Sequence, residues 1–433
     1  MKETVINYIF IQMNPSSKGW IKKYLSILDK SKEILNRFPG SMFSSEELIY
    51  SYVQPTGLLY GYPRAFIFID HNYVQKLIPE ESFKILLLEG LILIDHIEKG
   101  QFDMGSLESA IYRFVDFYEK SNLEKAKKSW LDFSKLDIYG KLESIIDQRV
   151  EIKGTASKLA MGYLFNSLLF HDLLLYIDYR DDAKQINLAK KREEIVLDIV
   201  KVVACAANAD GYISEEERSI FKVFLASANF VSSKHNLAET YLEQNLSLDD
   251  ISFEYESSWL LKRYILEIAI LTIWSDKDLE YPEKDFLVNL TFKLGLSETD
   301  RHESFLAIQS FVLSNDRAAH FLNGKNDVEL ILSAAAKRWT KILSRNKDKL
   351  ANELKESREL VNMIRKSTHS DLTKDEKEKV KHQLADLGKT IPALTLFMLP
   401  GGAIILPLVL KIIPNLIPSA FRENYIDDTD KEL

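Results

Sequence analysis

Two stretches of this sequence, 66 positions apart, carry carboxylates and amides at spacings that suit a divalent cation. The first runs through Asn208, Asp210 and Glu217, in Ala209-Asp210-Gly211-Tyr212-Ile213-Ser214-Glu215-Glu216-Glu217. The second holds Asp276, Asp278 and Glu283, in Ser275-Asp276-Lys277-Asp278-Leu279-Glu280-Tyr281-Pro282-Glu283. Hard cations such as calcium and magnesium take six to eight oxygen ligands, and a twelve-residue helix–loop–helix can supply them. On such a loop Asn208, Asp210, Gly211, Ile213 and Glu217 fall at the third, fifth, sixth, eighth and twelfth positions, but Ala206 holds the first. Without that first carboxylate a calcium cage is incomplete. The same residues also suit the ends of helices: Gly211 can take the left-handed conformation after a helix. Ser214 with Glu217 three residues on makes a capping box, and Pro282 suits a first helical turn. Both readings stand at this stage, and a weak divalent-cation site is the only cofactor that the residues suggest.

Other chemistry finds little support. His71, His96 and His171 lie far apart and share no metal-ligand spacing. There is no Gly-rich phosphate loop, nucleophile elbow or His-Glu-x-x-His string. The chain therefore reads as a non-enzyme. Its formal net charge of −8 argues against a general nucleic-acid surface, and no direct DNA binding is expected. The lone Cys205 fits a reducing compartment. The opening Met1-Lys2-Glu3-Thr4 carries no secretory signal, so the body is expected in the cytoplasm.

The elements that must hold these residues are helical. Only 16 glycines occur in 433 residues, and no proline falls between Pro79 and Pro282, so long helices meet few breakers there. Residues 1–185 read as an N-terminal helical domain, with an amphipathic helix from Lys18 (apolar at 21, 24, 25 and 28) and a Ser-capped start at Ser44-Ser45-Glu46-Glu47. Ser82–Ile97 reads as a buried helix, too short and too interrupted by charge to span a membrane, whereas Ala65–Ile69 is ambiguous. Residues 186–300 repeat a helix–acidic loop–helix unit: Glu194–Asn208 then Ile220, Phe221, Phe224 and Leu225, and Tyr264–Trp274 then Phe286, Leu287 and Leu290 up to Gly295. Residues 301–350 form a helical connector, and 351–433 a basic stem and apolar segment. The expected class is all-α and multi-domain, with a central helical repeat and a C-terminal, proline-interrupted apolar membrane helix.

The Ala-Asp-Gly-x-Ile-Ser-x-Glu-Glu string between two apolar helices resembles the TerB-like (tellurite-resistance) domain, which implies a helical module of stress-response type. An ion at Asp210, Glu217, Asp276 and Asp278 would make it a metal-responsive regulator.

The C-terminal stretch differs in kind. Thr390–Leu410 is 21 residues without Asp, Glu, Lys, Arg or His. As a helix it would reach roughly 31 Å, about the hydrocarbon thickness of a bilayer. Pro400, Pro407 and Gly401-Gly402 inside it point to a kinked span or a broken helix in the interface, with a buried core helix as the alternative. Residues 337–389 ahead of it hold 15 basic against 9 acidic residues, a net +6 that would attract anionic lipid. Arg422–Leu433 holds 2 basic and 5 acidic residues, which by the positive-inside rule leaves the body on the cytoplasmic side of the inner membrane, anchored by the C-terminus.

The register Asp386-Leu387, Pro392, Pro400, Leu406-Pro407, Lys411, Pro414-Asn415, Pro418-Ser419 and Phe421, preceded by Leu372-Thr373-Lys374-Asp375-Glu376, resembles the membrane-embedded segment of the Letm family and its bacterial relatives. The resemblance implies a membrane protein in cation/proton homeostasis, or one linking ribosomes to membrane-protein biogenesis. It also implies lipid, ribosome or membrane-protein partners and homo-oligomers, and bacterial relatives suggest envelope-stress or biofilm roles. Ala403 stands where the family carries an intramembrane acid, which weighs against ion transport. The ribosome-binding-type domain expected downstream of the segment is not found before Leu433.

Overall fold

A computed structural model describes residues 13–30, 44–69, 77–97, 104–121, 136–151, 166, 168–181, 187–228, 230, 232–244, 246–253, 258–273, 280–313, and single residues 373, 375 and 379. Among these residues the fold is all-α: twelve α-helices, short 3₁₀ turns and no strand. The chain divides into two compact units, Met1–Asp327 and Val328–Leu433. The architecture below is that of the first; the apolar run 390–410 and the helix expected over 328–342 lie outside the described residues.

The helices are α1 (Trp20–Lys30), α2 (Ser45–Val53), α3 (Pro79–His96), α4 (Met104–Ser121), α5 (Ile138–Val150), α6 (Phe170–Asp181), α7 (Leu188–Ala207), α8 (Glu215–Ala228), α9 (Ser232–Glu239), α10 (Trp259–Ile273), α11 (Tyr281–Lys293) and α12 (Glu298–Leu313). Two of them organise the rest. α3 buries 15 of its 18 residues and packs against α2, α4, α5 and α6. α10 buries 13 of 15 and packs against α2, α7, α8, α11 and α12. A helix apolar nearly all round has no solvent face to offer, so it becomes the axis of a layer of others. α2 touches both axes, and α6 on α7 closes the second link, so one continuous core runs through the first unit.

The helix starts show how local chemistry and distant partners share the work. Ser44 caps α2 with Glu47 reaching back to the Ser44 N–H at 2.8 Å, as its residue types predict. α1 presents Ile21, Tyr24, Leu25 and Leu28 to the core, on the expected face. Its first turn is completed from α5: the Glu143 carboxylate accepts the Gly19 and Ile21 N–H groups at 2.9 and 3.0 Å. α7 begins six residues before the expected Glu194, because Asn187 accepts the Lys190 N–H at 3.1 Å. α10 begins five residues before Tyr264, where Ser258 Oγ accepts the Leu261 N–H and Glu46 of α2 accepts that of Leu260. The ambiguous stretch at 65–69 is irregular chain pinned to α3, as described below. Gly90 lets α3 approach α6 closely, since a Cβ there would run into the Leu173 side chain.

Candidate functional site

The first acidic loop is built by the end of α7 and the start of α8. The Gly211 N–H donates to Asn208 O at 3.1 Å, and Gly211 takes φ +85°, the left-handed value that its residue type permits. Asp210 Oδ1 accepts the Tyr212 N–H at 2.8 Å, a turn closed by its own side chain. Ser214 and Glu217 form the reciprocal capping box: the Glu217 N–H donates to Ser214 Oγ at 3.2 Å, and Glu217 Oε2 accepts from the Ser214 N–H and Oγ–H at 2.8 and 2.9 Å. Glu217 is 5% exposed. Its carboxylate is turned back on the helix end.

The start of α11 is capped in a similar way. Pro282 sits in the first turn, and Glu283, 3% exposed, accepts the Glu280 N–H at 2.5 Å. The 66-residue repeat thus returns in space as two carboxylates, Glu217 and Glu283, doing the same capping job. Asp276 and Asp278 lie outside the described residues. Among the described residues no group of three His, Cys, Asp or Glu side chains is placed to hold a metal ion. Asn208, Asp210 and Glu217 are close along the chain, but each is engaged locally: Asn208 as the end of α7, Asp210 in its turn, Glu217 in its cap.

The polar chemistry of the body lies elsewhere, in buried networks that join distant segments. On α10, Glu267 is fully buried and accepts the Tyr50 and Tyr60 hydroxyls, the latter at 2.7 Å, together with Arg263 Nε–H at 3.0 Å. Arg263, 1% exposed, also reaches Asp300 and Glu303 at 3.5 and 3.3 Å and stacks near the Tyr50 and Trp259 rings. On α3, Glu89 accepts the Tyr24 hydroxyl at 2.5 Å and the Ile67 and Phe68 N–H groups at 2.6 and 3.3 Å, which is what holds the 65–69 segment. Burial pushes the Glu89 carboxyl up to about 7 in spite of those three donors. One turn and a half later, Asp95 is buried too. There the Arg113 guanidinium (2.8 Å from Nε) and the Tyr176 hydroxyl (2.9 Å) overcome burial and bring the carboxyl down to about 2. On α6, Asp172 pairs bidentately with Arg149 at 2.7 Å for both bonds and accepts the Tyr118 hydroxyl at 3.1 Å; these partners hold it below its usual range against burial.

Of the three histidines singled out from sequence, His71 lies outside the described residues. His96 is buried, with Nδ1 on Ile92 O at 2.9 Å and Nε2 on Ser106 Oγ at 3.2 Å, a structural pair of bonds. His171 is fully buried. Cys205 is buried beside Leu246 O, and burial pushes its thiol up to about 12. That is the opposite of a reactive thiolate.

No described helix is long and apolar enough to cross a membrane. The C-terminal motif residues Asp386, Pro392, Pro400, Pro407, Lys411, Pro414, Asn415 and Pro418, with Ala403, lie outside the described residues. Comparison with protein families places that motif. Residues 372–432 match the family profile described as "LETM1-like, RBD", where the last term denotes a ribosome-binding domain. The C-terminal region is thus LETM1-like. The matched residues cover the proline-rich apolar segment and its charged approach. Neither the curated proteins nor the solved structures gave a match to the chain.

Proposed function

We propose that this chain is a non-enzymatic, membrane-associated helical protein whose C-terminal region holds a ribosome at a membrane surface. The observation that carries the reading is the match of residues 372–432 to a LETM1-like, ribosome-binding-type family. Two features of the sequence in and just ahead of that stretch support it. Its 21 uncharged residues suit the thickness of a bilayer, and the net +6 over residues 337–389 suits a surface of anionic lipid or ribosomal RNA phosphate. Of the family's two implied roles, ribosome linkage is favoured over cation/proton exchange. Exchange wants an ionisable group inside the membrane, and Ala403 stands in that register.

In this reading the helical body, with its TerB-like acidic-loop repeat, is the cytoplasmic part, and the last fifty residues are anchor and dock together. Two measurements test it on the full chain and on a truncation at Leu384. In membrane fractions washed with alkaline carbonate, the full chain stays in the pellet and the truncation is released. In co-sedimentation with purified ribosomes, the full chain pellets at low salt, and the binding weakens steeply as salt rises. Release of both chains by carbonate, or equal ribosome binding by both, would overturn the proposal.

A further inference from the structure

The acidic-loop repeat extends beyond its sequence motif, and it does so in strict register. α7 and α10 end at Ala207 and Ile273, α8 and α11 begin at Glu215 and Tyr281, and α9 and α12 begin at Ser232 and Glu298, each pair 66 positions apart. The body thus holds two three-helix copies, and each is a control for the other. In the first copy the third helix, α9, lies against both α7 and α8. In the second copy the third helix, α12, lies on α10, tied to it where Asp300 accepts the Trp259 Nε1–H at 2.9 Å. Among the described residues no third helix packs along α11 as α9 does along α8.

The side chains left on the outer face of α11 are apolar. Tyr281, Val288 and Phe292 are 82%, 45% and 85% exposed, and spacings of seven and four residues put them in one row on the helix. The core has no need of them, because α11 already buries Leu287 and Leu290 there, with Phe286 packed alongside. The same positions of α8 hold Glu215, Lys222 and Ala226, so the repeat folds without an apolar row at this place. One exposed apolar side chain is ordinary. A row of three presents roughly 300–400 Å² of apolar surface, the size of a functional patch on a monomer.

Asp285 lies in the same row, four residues after Tyr281 and three before Val288, and it decides between occupants. Its Oδ2 accepts the Asn289 amide at 3.1 Å, and no ion pair of Asp285 occurs among the described residues. A lipid surface would take that carboxylate out of water with nothing to pair it. A second copy fares no better: two rows related by a twofold axis, parallel or antiparallel about the middle of the row, bring the two Asp285 carboxylates within about 4.5 Å of each other along the axis. The row is also about half of what each partner buries in a stable dimer. A helix with a cation set into its apolar face answers both the row and the charge. We propose that Tyr281, Asp285, Val288 and Phe292 form a docking surface for an amphipathic helix of a partner protein. That helix is about three turns long, with apolar side chains at three- and four-residue spacing and one Arg or Lys opposite Asp285. It takes on α11 the place that α9 takes on α8. The surface belongs to the helical body and is independent of residues 372–432.

The test puts a photoreactive benzoylphenylalanine at Lys284, exposed beside the row, in the full chain within its own cells. After irradiation, cross-linked peptides are mapped by mass spectrometry. The expected product joins α11 to a segment of another protein with apolar residues at helical spacing and a basic residue among them. Its yield should fall at least tenfold in Tyr281→Ser/Phe292→Ser and in Asp285→Lys. Unfolding midpoints of both variants should stay within about 2 °C of native, since these three side chains point away from the core. A synthetic peptide of the captured segment should bind the purified full chain and lose at least tenfold in affinity with Asp285→Lys. Binding to that variant should return when the peptide's own basic residue is changed to Glu. Cross-links confined to lipid or to a second copy, a captured segment without the apolar-and-basic pattern, a yield that ignores the variants, or no cross-link at all would overturn the proposal.

Discussion

The Glu267 carboxylate is where the first unit should be most sensitive to a single change. Replacing it with leucine keeps the volume similar and leaves three buried donors, Tyr50 Oη–H, Tyr60 Oη–H and Arg263 Nε–H, without their acceptor. Tyr60 is 0% exposed and Arg263 1%, so water cannot take over. Each buried donor left unpaired costs roughly 1–3 kcal/mol, and removing one partner of a buried ion pair about 3–5 kcal/mol. These costs overlap, and Asp300 and Glu303 still face Arg263 Nη1 at 3.5 and 3.3 Å, so a loss of about 3–4 kcal/mol is expected. For a folding unit of about 330 residues, at about 2.1 cal/mol/K per residue, each kcal/mol lowers the unfolding midpoint by about 1.5 °C, giving a fall of about 4–6 °C. The assay is thermal unfolding followed by circular dichroism at 222 nm, with amide exchange read separately in α2 and α10. Because Tyr50 and Glu267 sit 217 positions apart and join those two helices, exchange should accelerate in both together. The double variant Arg263→Met/Glu267→Leu removes the unpaired cation and should recover roughly 1–2 kcal/mol over the single one. A midpoint within 2 °C of native, or exchange that rises in α10 alone, would refute the reasoning.

The remaining predictions concern pH, packing and the acidic loop. Asp95, held at about 2, is a lowered acid: its contribution is present above the ordinary carboxylate range and is lost as pH falls from about 4 to 2. Urea midpoints should show a loss of about 2 kcal/mol across that window, and Asp95→Asn should not. Glu89, raised to about 7, has the opposite sign: its contribution is complete below about 4.5 and is lost as pH rises through 7. Native stability should therefore fall by roughly 3 kcal/mol between pH 5 and 8, with the slope removed in Glu89→Gln. Gly90→Ala should cost about 1–3 kcal/mol by forcing α3 and α6 apart at Leu173. Gly211→Ala, with open space around its Cβ, should cost only the left-handed backbone strain of about 1 kcal/mol. Denaturant midpoints in the reverse order would contradict both. Glu217→Ala should lose a cap worth about 1 kcal/mol, equally with and without millimolar calcium. A calcium heat in calorimetry that Glu217→Ala abolishes would make the loop a metal site after all.

What was legible in the sequence is what local rules decide. The 3.6-residue spacing of Ile21, Tyr24, Leu25 and Leu28 marks a buried face because that face is set within one helix. Ser44–Glu47 and Ser214–Glu217 mark helix starts because a capping box closes within four residues. The periodic pattern places the starts of α7 and α10 too late, since Asn187 is a cap without a capping box and Leu260 is capped by Glu46, 214 positions away. Ala65–Ile69 has an apolar pattern that fits several conformations, and its answer comes from Glu89 on another element. The buried networks escaped for the same reason. Tyr50, Tyr60, Arg263 and Glu267 look like ordinary amphipathic-helix residues until the tertiary fold brings them together.

The two acidic loops and the C-terminal stretch carry comparable motif signals, yet they call for different readings. In the loops, three carboxylates have a local task that their position explains: Asp210 closes a turn, and Glu217 and Glu283 satisfy backbone N–H groups at helix starts. The C-terminal stretch has no such internal account. Twenty-one residues without charge next to a net +6 cannot be explained by caps or turns, because neither the uncharged length nor the charge step serves any one helix end. The family match covers the uncharged run and the last part of that basic stretch. For this chain, the functional search therefore belongs first at residues 372–432.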